Sequence, residues 1–201
     1  MTLFSSVVRW DHGFAPNPFH GVCTLATCKP LIRKRAALGD WVLGTGSAGR
    51  KVQGHAVFLM RITGDTCFQK YWDAAEFERK IPVMNGSLEQ RFGDNIYHKD
   101  EEGNWLQEDS RHSYDNAANE RNLKRDTGTT SRVLLSTNFI YWGDKAPRLP
   151  DSLMHFAIGR RGQEYRYSNA DVLRLLDWAM RGGATGVVGD PLEWRYEKWW
   201  R

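Results

Sequence analysis

Cysteine is scarce in this chain: three thiols, Cys23, Cys28 and Cys67, among 201 residues. An odd and low number excludes a disulfide framework and fits a reducing compartment. The spacing of Cys23 and Cys28 does not match a zinc knuckle and no second Cys/His pair follows, so no metal is expected. The thiols read as small buried hydrophobes. Long apolar runs are lacking too. None approaches the about 18 residues that span a bilayer, and the opening MTLFSSVVRWDHG has no basic segment followed by an apolar one. The expectation is a cytoplasmic protein with no membrane partner and no cofactor. Internal repeats, low-complexity linkers, a GKS or GKT phosphate-loop ending and an HExxH pair are all missing, which removes solenoids, P-loop NTPases and HExxH metalloproteases.

What is present is ordinary for a folded chain: 41% hydrophobic and 26% charged residues, too apolar for a disordered segment. One domain over residues 1–201 is expected, with a core over 1–150 and a C-terminal helix and tryptophan-rich tail over 151–201. Residues 3–10, 22–27, 41–46 and 55–63 read as strands, and Pro30 suits the first turn of a short basic helix over 31–37. Residues 71–80 (YWDAAEFERK) carry a helical period. The polar stretch 82–128 is too long to be structureless in a compact domain and should hold short strands. Strand character returns over 132–142 with a bend at Thr137-Asn138. Ser168 with Asp171 makes a capping-box-like start to a helix that runs to Met180 and stops at Gly182-Gly183. Val172, Leu175, Leu176 and Ala179 form its apolar stripe. This succession is α+β: a small, strongly bent mixed sheet or a β-barrel, with flanking helices.

Two stretches carry chemistry. The first, from Asp11 to Ser47, mixes turn formers, thiols, hydroxyls and a basic cluster (Lys29, Arg33, Lys34, Arg35) with the glycine-rich strand end GTGS. Amides near glycines together with cationic side chains favour anions. Phe14 and Asn17 are expected at a rim, Thr24 within the pocket, Arg33 towards phosphate, and Thr45 and Ser47 as a floor. A tight strand bend is the bland alternative for the glycines. The second stretch, GDNIYH followed by WLQEDSRHS, supplies Asp94, Asn95, Tyr97, His98, Asp109 and His112. Imidazole titrates near neutrality and a carboxylate fixes its tautomer, so His98, Asp109 and His112 are candidates for acid–base catalysis. Asp94, Asn95 and Tyr97 are candidates for substrate binding. A hydrogen-bonded structural loop or a divalent metal site are the alternatives. A net charge of +4 adds a mild signal for polyanions, gathered in the basic cluster above and in Arg160, Arg161 and Arg166. Nine tryptophans form a third signal, since an aromatic wall can stack a base, although most tryptophans pack in cores.

The basic helix, GDWVLGTGS and AVFLMRIT, over about residues 29–63, resemble the opening of PUA-like barrels of the EVE and ASCH type. In such domains a pocket lysine and threonine can act chemically, which points to Lys29 with Thr24 or Thr27. A more specific resemblance rests on the ordered blocks GFAPNP, CTLATCKPLIR, GDWVLGTGS, GDNIYH, WLQEDSRHS and RVLLSTNFIYWG. These are similar to the family called nucleotide modification associated domain 2, found in bacteria and phages. The blocks cover most of residues 10–150, and none falls in the C-terminal part. The resemblance implies a link to modified DNA bases and raises the weight of the two polar loops. A nucleotide- or nucleic-acid-binding protein that recognises a base in an aromatic and basic pocket is the leading reading. An enzyme, hydrolase or transferase, acting on a nucleobase, nucleotide or modified DNA through His98, Asp109, His112 and Lys29 is the alternative. A structural subunit of a modification or phage-defence system is the third, with Trp199 and Trp200 as a protein-partner end.

Overall fold

A computed structural model describes residues 1–157 and 167–197. The basic group Arg160, Arg161 and Arg166 and the terminal Trp199, Trp200 and Arg201 lie outside these described residues. The strands are β1 (Leu3–Val8), β2 (Cys23–Leu25), β3 (Trp41–Gly46), β4 (Ala56–Arg61), β5 (Gly64–Cys67), β6 (Tyr97–Lys99), β7 (Trp105–Gln107), β8 (Arg132–Ser136), β9 (Asn138–Tyr141) and β10 (Gly186–Val187). The helices are α1 (Pro30–Arg35), α2 (Phe68–Asp73), α3 (Leu88–Arg91), α4 (Glu120–Thr127) and α5 (Asn169–Met180). The chain divides into two compact units: unit 1 holds residues 1–12, 36–63 and 136–201, and unit 2 holds 13–35 and 64–135.

Unit 1 is built on a five-stranded mixed sheet in the order β1-β3-β4-β9-β10. β1 pairs parallel with β3 from Leu3↔Trp41 to Val8↔Gly46, while β3 pairs antiparallel with β4, with a bulge between Gly44 and Thr45. Every residue of β3 is buried, as expected of a central strand covered on both faces. Leu3, Trp41, Leu43, Leu59, Ile140, Trp142, Leu153, Phe156, Val172 and Leu175 form one apolar cluster. α5 begins as its sequence predicts: the Ser168 side chain accepts from Asp171 N, and Val172, Leu175 and Ala179 are buried.

Unit 2 carries a three-stranded sheet, β2-β8-β5, and a β6-β7 hairpin, with β5 antiparallel to β8. The overall class is mixed α and β, consistent with α+β, and no sheet closes on itself among the described residues. The bend expected at Thr137-Asn138 falls between β8 and β9, whose pairing belongs to different sheets. The single helix expected over 71–80 is not formed. α2 starts earlier, at Phe68, and Ala74 takes an extended conformation before a 3-10 turn over Ala75–Lys80. Tertiary packing overrides the helical period here. The break lets both Tyr71 and Lys80 enter the interior of unit 2, where each finds polar partners.

Gly143 shows how tightly the end of β9 is packed in unit 1. Its φ is +52°, and a Cβ there would sit 2.2 Å from the Asp190 carbonyl oxygen, which already accepts from Asp144 N. Gly143→Ala is expected to lower stability by about 2 kcal/mol or more, read as a fall in the urea midpoint. Gly49→Ala, whose Cβ meets open space, is expected to stay within about 0.5 kcal/mol. Equal midpoints for the two variants would refute the packing assigned to Gly143.

Candidate functional site

The site grows from the turn between β2 and α1. Cys28 and Lys29 both have positive φ, +58° and +44°, a region that residues with a Cβ seldom enter. The turn is held by a carboxylate from α4: Cys28 N donates to Asp126 Oδ1 at 3.0 Å. Pro30 then opens α1, as its missing N–H favours.

The same carboxylate organises a relay. Asp126 Oδ2 lies 3.1 Å from His112 Nδ1, and His112 Nε2 lies 3.5 Å from Cys28 Sγ. The carboxylate has no exposed side-chain surface and the imidazole only 13%. With Nδ1–H donated to Asp126, the imidazole turns Nε2 to the thiol, the arrangement of a nucleophile, a base and an orienting carboxylate. Burial would raise the Cys28 thiol, but the His112 hydrogen bond and charge outweigh it and its pKa lies below the ordinary thiol value. Burial would lower His112, but hydrogen bonds with Asp126 and Cys28 outweigh it and its pKa is raised. Against burial, hydrogen bonds from His112 and Arg125 hold the Asp126 carboxyl well below the usual range. All three shifts run in the direction that favours the charged forms, thiolate, imidazolium and carboxylate.

Four neighbours fix the relay. Tyr97 OH donates to Asp126 Oδ2 at 3.0 Å, and Arg125 Nε donates to Asp126 Oδ1 at 2.8 Å. Arg125 Nη2 also lies 3.9 Å from Cys28 Sγ, which places a cation beside the thiol. Phe14, expected at a rim, is instead buried and packs edge-on against His112 with ring centroids 4.7 Å apart. Arg33, expected at phosphate, is instead fully buried. It donates Nε to the Cys28 carbonyl at 2.9 Å, Nη1 to that of Arg132 at 2.8 Å, and Nη2 to that of Asp126. Burial pushes its guanidinium down to about 10 although Asp126 opposes this. Arg33 therefore clamps the two backbone segments that carry Cys28 and Asp126.

A second buried network in unit 2 gathers Asn17, Thr24 and Asp94 with Lys80 and Tyr71. Lys80 Nζ donates to Asn17 Oδ1 at 2.8 Å, Asn17 O at 3.1 Å and Thr24 Oγ1 at 3.1 Å. Thr24 Oγ1 and Tyr71 OH each donate to Asp94 at 2.8 Å. Burial pushes the Lys80 ammonium down to about 8 and raises Asp94 and Tyr71. Asn17, expected at a rim, has no exposed surface here and gives Nδ2 to the Phe92 carbonyl. Asn95 is likewise buried and donates to the Tyr71 carbonyl at 2.9 Å.

The remaining expected residues are engaged elsewhere. His98 stacks on Trp72 with ring centroids 3.8 Å apart and meets Glu108 at 2.8 Å. Asp109 meets Ser113 Oγ at 3.5 Å. Lys29 sits in the turn beside Cys28, whereas Thr45 and Ser47 belong to unit 1. Of the residues expected in a site, Phe14, Tyr97, His112 and Arg33 thus meet around two that were not expected, Cys28 and Asp126. Cys28 was read with the other thiols as a buried hydrophobe. It is half-buried and hydrogen-bonded, unlike the buried Cys23, whose thiol burial raises to about 12. Among the described residues, no three or more His, Cys, Asp or Glu side chains converge as a metal site.

A family model described as nucleotide modification associated domain 2 matches residues 1–198. The chain belongs to that family. The match takes in the C-terminal part, where the sequence blocks had placed no motif. No curated protein matches the chain, and no solved structure does. Nor is any helix among the described residues long and apolar enough to cross a membrane. The family description thus supplies an association with nucleotide modification.

A thiolate–imidazolium pair has a direct chemical signature. Near neutral pH, iodoacetamide is expected to alkylate Cys28 well before Cys23, as read by peptide mass spectrometry. His112→Ala is expected to slow alkylation of Cys28 by about tenfold, because each unit of thiol pKa is a tenfold change in thiolate below it. An unchanged rate in His112→Ala would refute the pairing.

Proposed function

We propose that this member of the nucleotide modification family is an enzyme that moves or hydrolyses an acyl group on a nucleobase or nucleotide through covalent catalysis by Cys28. The observation that carries this reading is the Cys28–His112–Asp126 relay with its buried carboxylate. The family description favours a nucleotide substrate.

The steps follow from the proton positions. The Cys28 thiolate attacks the acyl carbon of an amide or ester, with the thiol proton already on His112 Nε2. The C–N or C–O bond breaks, the leaving amine or alcohol takes that proton, and a thioester on Cys28 remains. Water or an acceptor amine then gives its proton to His112 and attacks the thioester carbon, and the C–S bond breaks to return the thiolate. Asp126 stays ionised throughout, orienting the imidazole and stabilising its charged form. Arg125 adds positive charge close to the reacting sulfur. Asp126, Arg33 and Tyr97 are positioning residues.

Recognition of a base, the binding reading, is compatible with this chemistry, but Phe14 and Tyr97 are buried and pack on the relay, so they offer no face for stacking. The PUA-like barrel opening is a further architectural proposal, supported by the antiparallel pairing of β3 with β4.

The test is intact-mass detection of a Cys28 thioester after incubation with N-acylated cytosine and adenine nucleosides and nucleotides. The acyl mass is expected on the wild type, absent from Cys28→Ala and reduced at least tenfold in His112→Ala. No adduct with any of these compounds, or an adduct that persists in Cys28→Ala, would overturn the proposal.

A further inference from the structure

Unit 1 presents a cation–aromatic ladder at its surface. The Arg50 guanidinium lies 4.0 Å from the centre of the Trp10 ring and 5.2 Å from that of Tyr196. Trp10 is 48% exposed and Tyr196 63%, so both rings stay open to a ligand after stacking on arginine. Large aromatics held in that state are costly to leave in water.

The ladder is fixed rather than loose. Arg50 Nη2 bonds Glu193 Oε2 at 2.6 Å, and the Glu193 side chain is only 4% exposed. The segment bearing Glu193 and Tyr196 is tied to the one bearing Trp10. Leu192 N donates to Asp11 Oδ2 at 3.1 Å, Glu193 N to Asp11 O at 2.9 Å, and Trp194 Nε1 to His12 O at 3.0 Å. Tyr141 OH from β9 donates to the other oxygen of Asp11. On the third side, GTGS leads from β3 into the 3-10 turn Ala48–Arg50, and Ser47 Oγ donates to the Arg9 carbonyl at 3.4 Å.

Charge decides the class of partner. Arg9 and Arg195 are exposed beside the rings, with the Arg9 guanidinium 5.8 Å from the Trp10 ring centre and that of Arg195 5.7 Å from Tyr196, and the exposed Lys51 follows Arg50 in the chain. Of the carboxylates near the rings, Glu193 holds Arg50, while Glu197 lies 3.5 Å from His12, an ion pair only when that imidazole is protonated. Open aromatic faces amid cations that have no ion-pair partner among the described residues fit a ligand with exposed π-faces and a repeating anionic backbone. Duplex DNA hides its base faces, whereas a single strand offers them.

We propose that this surface binds single-stranded nucleic acid, with bases stacking on Trp10 and Tyr196 and phosphates along Arg9, Lys51 and Arg195. Arg50 serves as the spacer, pinned by Glu193, that keeps the two rings in register. The surface stands on unit 1 alone and does not depend on the chemistry assigned to Cys28.

Fluorescence anisotropy with a labelled deoxythymidine oligomer of about 15 residues tests this, against a duplex of the same length. Trp10→Ala and Tyr196→Ala are each expected to weaken single-strand binding about tenfold or more, with Trp10→Phe restoring most of it. Arg9→Gln combined with Arg195→Gln, which leaves both rings in place, is expected to flatten the log–log salt slope by about 1.4. Cys28 alkylation is followed in the same samples, so loss of this surface and loss of the thiol chemistry are scored apart. Binding to the duplex as tight as to the single strand, or single-strand binding unmoved by both ring substitutions, would overturn the proposal. So would absence of oligonucleotide binding with Trp10-dependent capture on anionic vesicles, which would assign the patch to a lipid surface.

Discussion

The chemistry of unit 2 depends on keeping one carboxylate ionised out of water. Asp126 has no exposed side-chain surface, so its charge must be met by direct donors. It sits in the last turn of α4, where the helix dipole opposes a negative charge. Four groups resolve the conflict: the backbone N–H of Cys28, Tyr97 OH, His112 Nδ1 and Arg125 Nε. Each of these donors comes from a different segment of unit 2. Satisfying the carboxylate therefore brings the strained β2–α1 turn, β6, the 110–113 loop and α4 to one point. Arg33 closes the assembly by giving its donors to backbone carbonyls at Cys28 and Asp126. The lowered pKa of Cys28 is then a by-product of charge compensation.

The second network of unit 2 follows the same rule with a different outcome. Lys80, Asp94, Thr24, Tyr71 and Asn17 share their protons within a closed set. Lys80 lies in a 3-10 turn that exists because α2 breaks at Ala74. A continuous helix would keep Tyr71 and Lys80 in fixed helical register, whereas the break lets each reach its own partner. Such a fully satisfied polar core specifies one arrangement of the surrounding strands.

Much of the architecture was legible in the sequence because it rests on local signals. Ser168 and Asp171 mark the start of α5, apolar runs with glycine at their ends mark β3 and β4, and Pro30 marks α1. α4 was not legible, since its one buried residue is the acid Asp126 and no apolar stripe exists to find. The site was half legible. His112, Phe14 and Tyr97 stand in blocks rich in functional residue types, but the residues that join them are remote in sequence. Cys28 lies 84 positions from His112 and 98 from Asp126, so no spacing rule links them. Arg33 misled for a physical reason: a basic residue in a basic cluster suggests solvent and phosphate, and only the fold shows its donors spent on carbonyls. Thr45 and Ser47 likewise read as part of the same loop system, whereas GTGS leads to the Arg50 turn of unit 1.

The two units thus present different features on one chain, a thiol held in a charge-compensated relay in one and an aromatic and cationic surface in the other. The central claim concerns the nucleophile, and the ionisation of Cys28 tests it most directly. Thiolate absorbance at 240 nm, taken as the difference between wild type and Cys28→Ser across a pH titration, reports that one group. Because the folded pKa of Cys28 is lowered, its thiolate is expected to appear at a pH below that of an ordinary thiol. In Asp126→Asn, loss of the charge that stabilises the imidazolium is expected to outweigh the relief of Asp126's own repulsion of the thiolate, so the step moves up in pH. A Cys28 step at or above the ordinary thiol value in the wild type, or one unmoved by Asp126→Asn, would contradict the role given to the buried carboxylate.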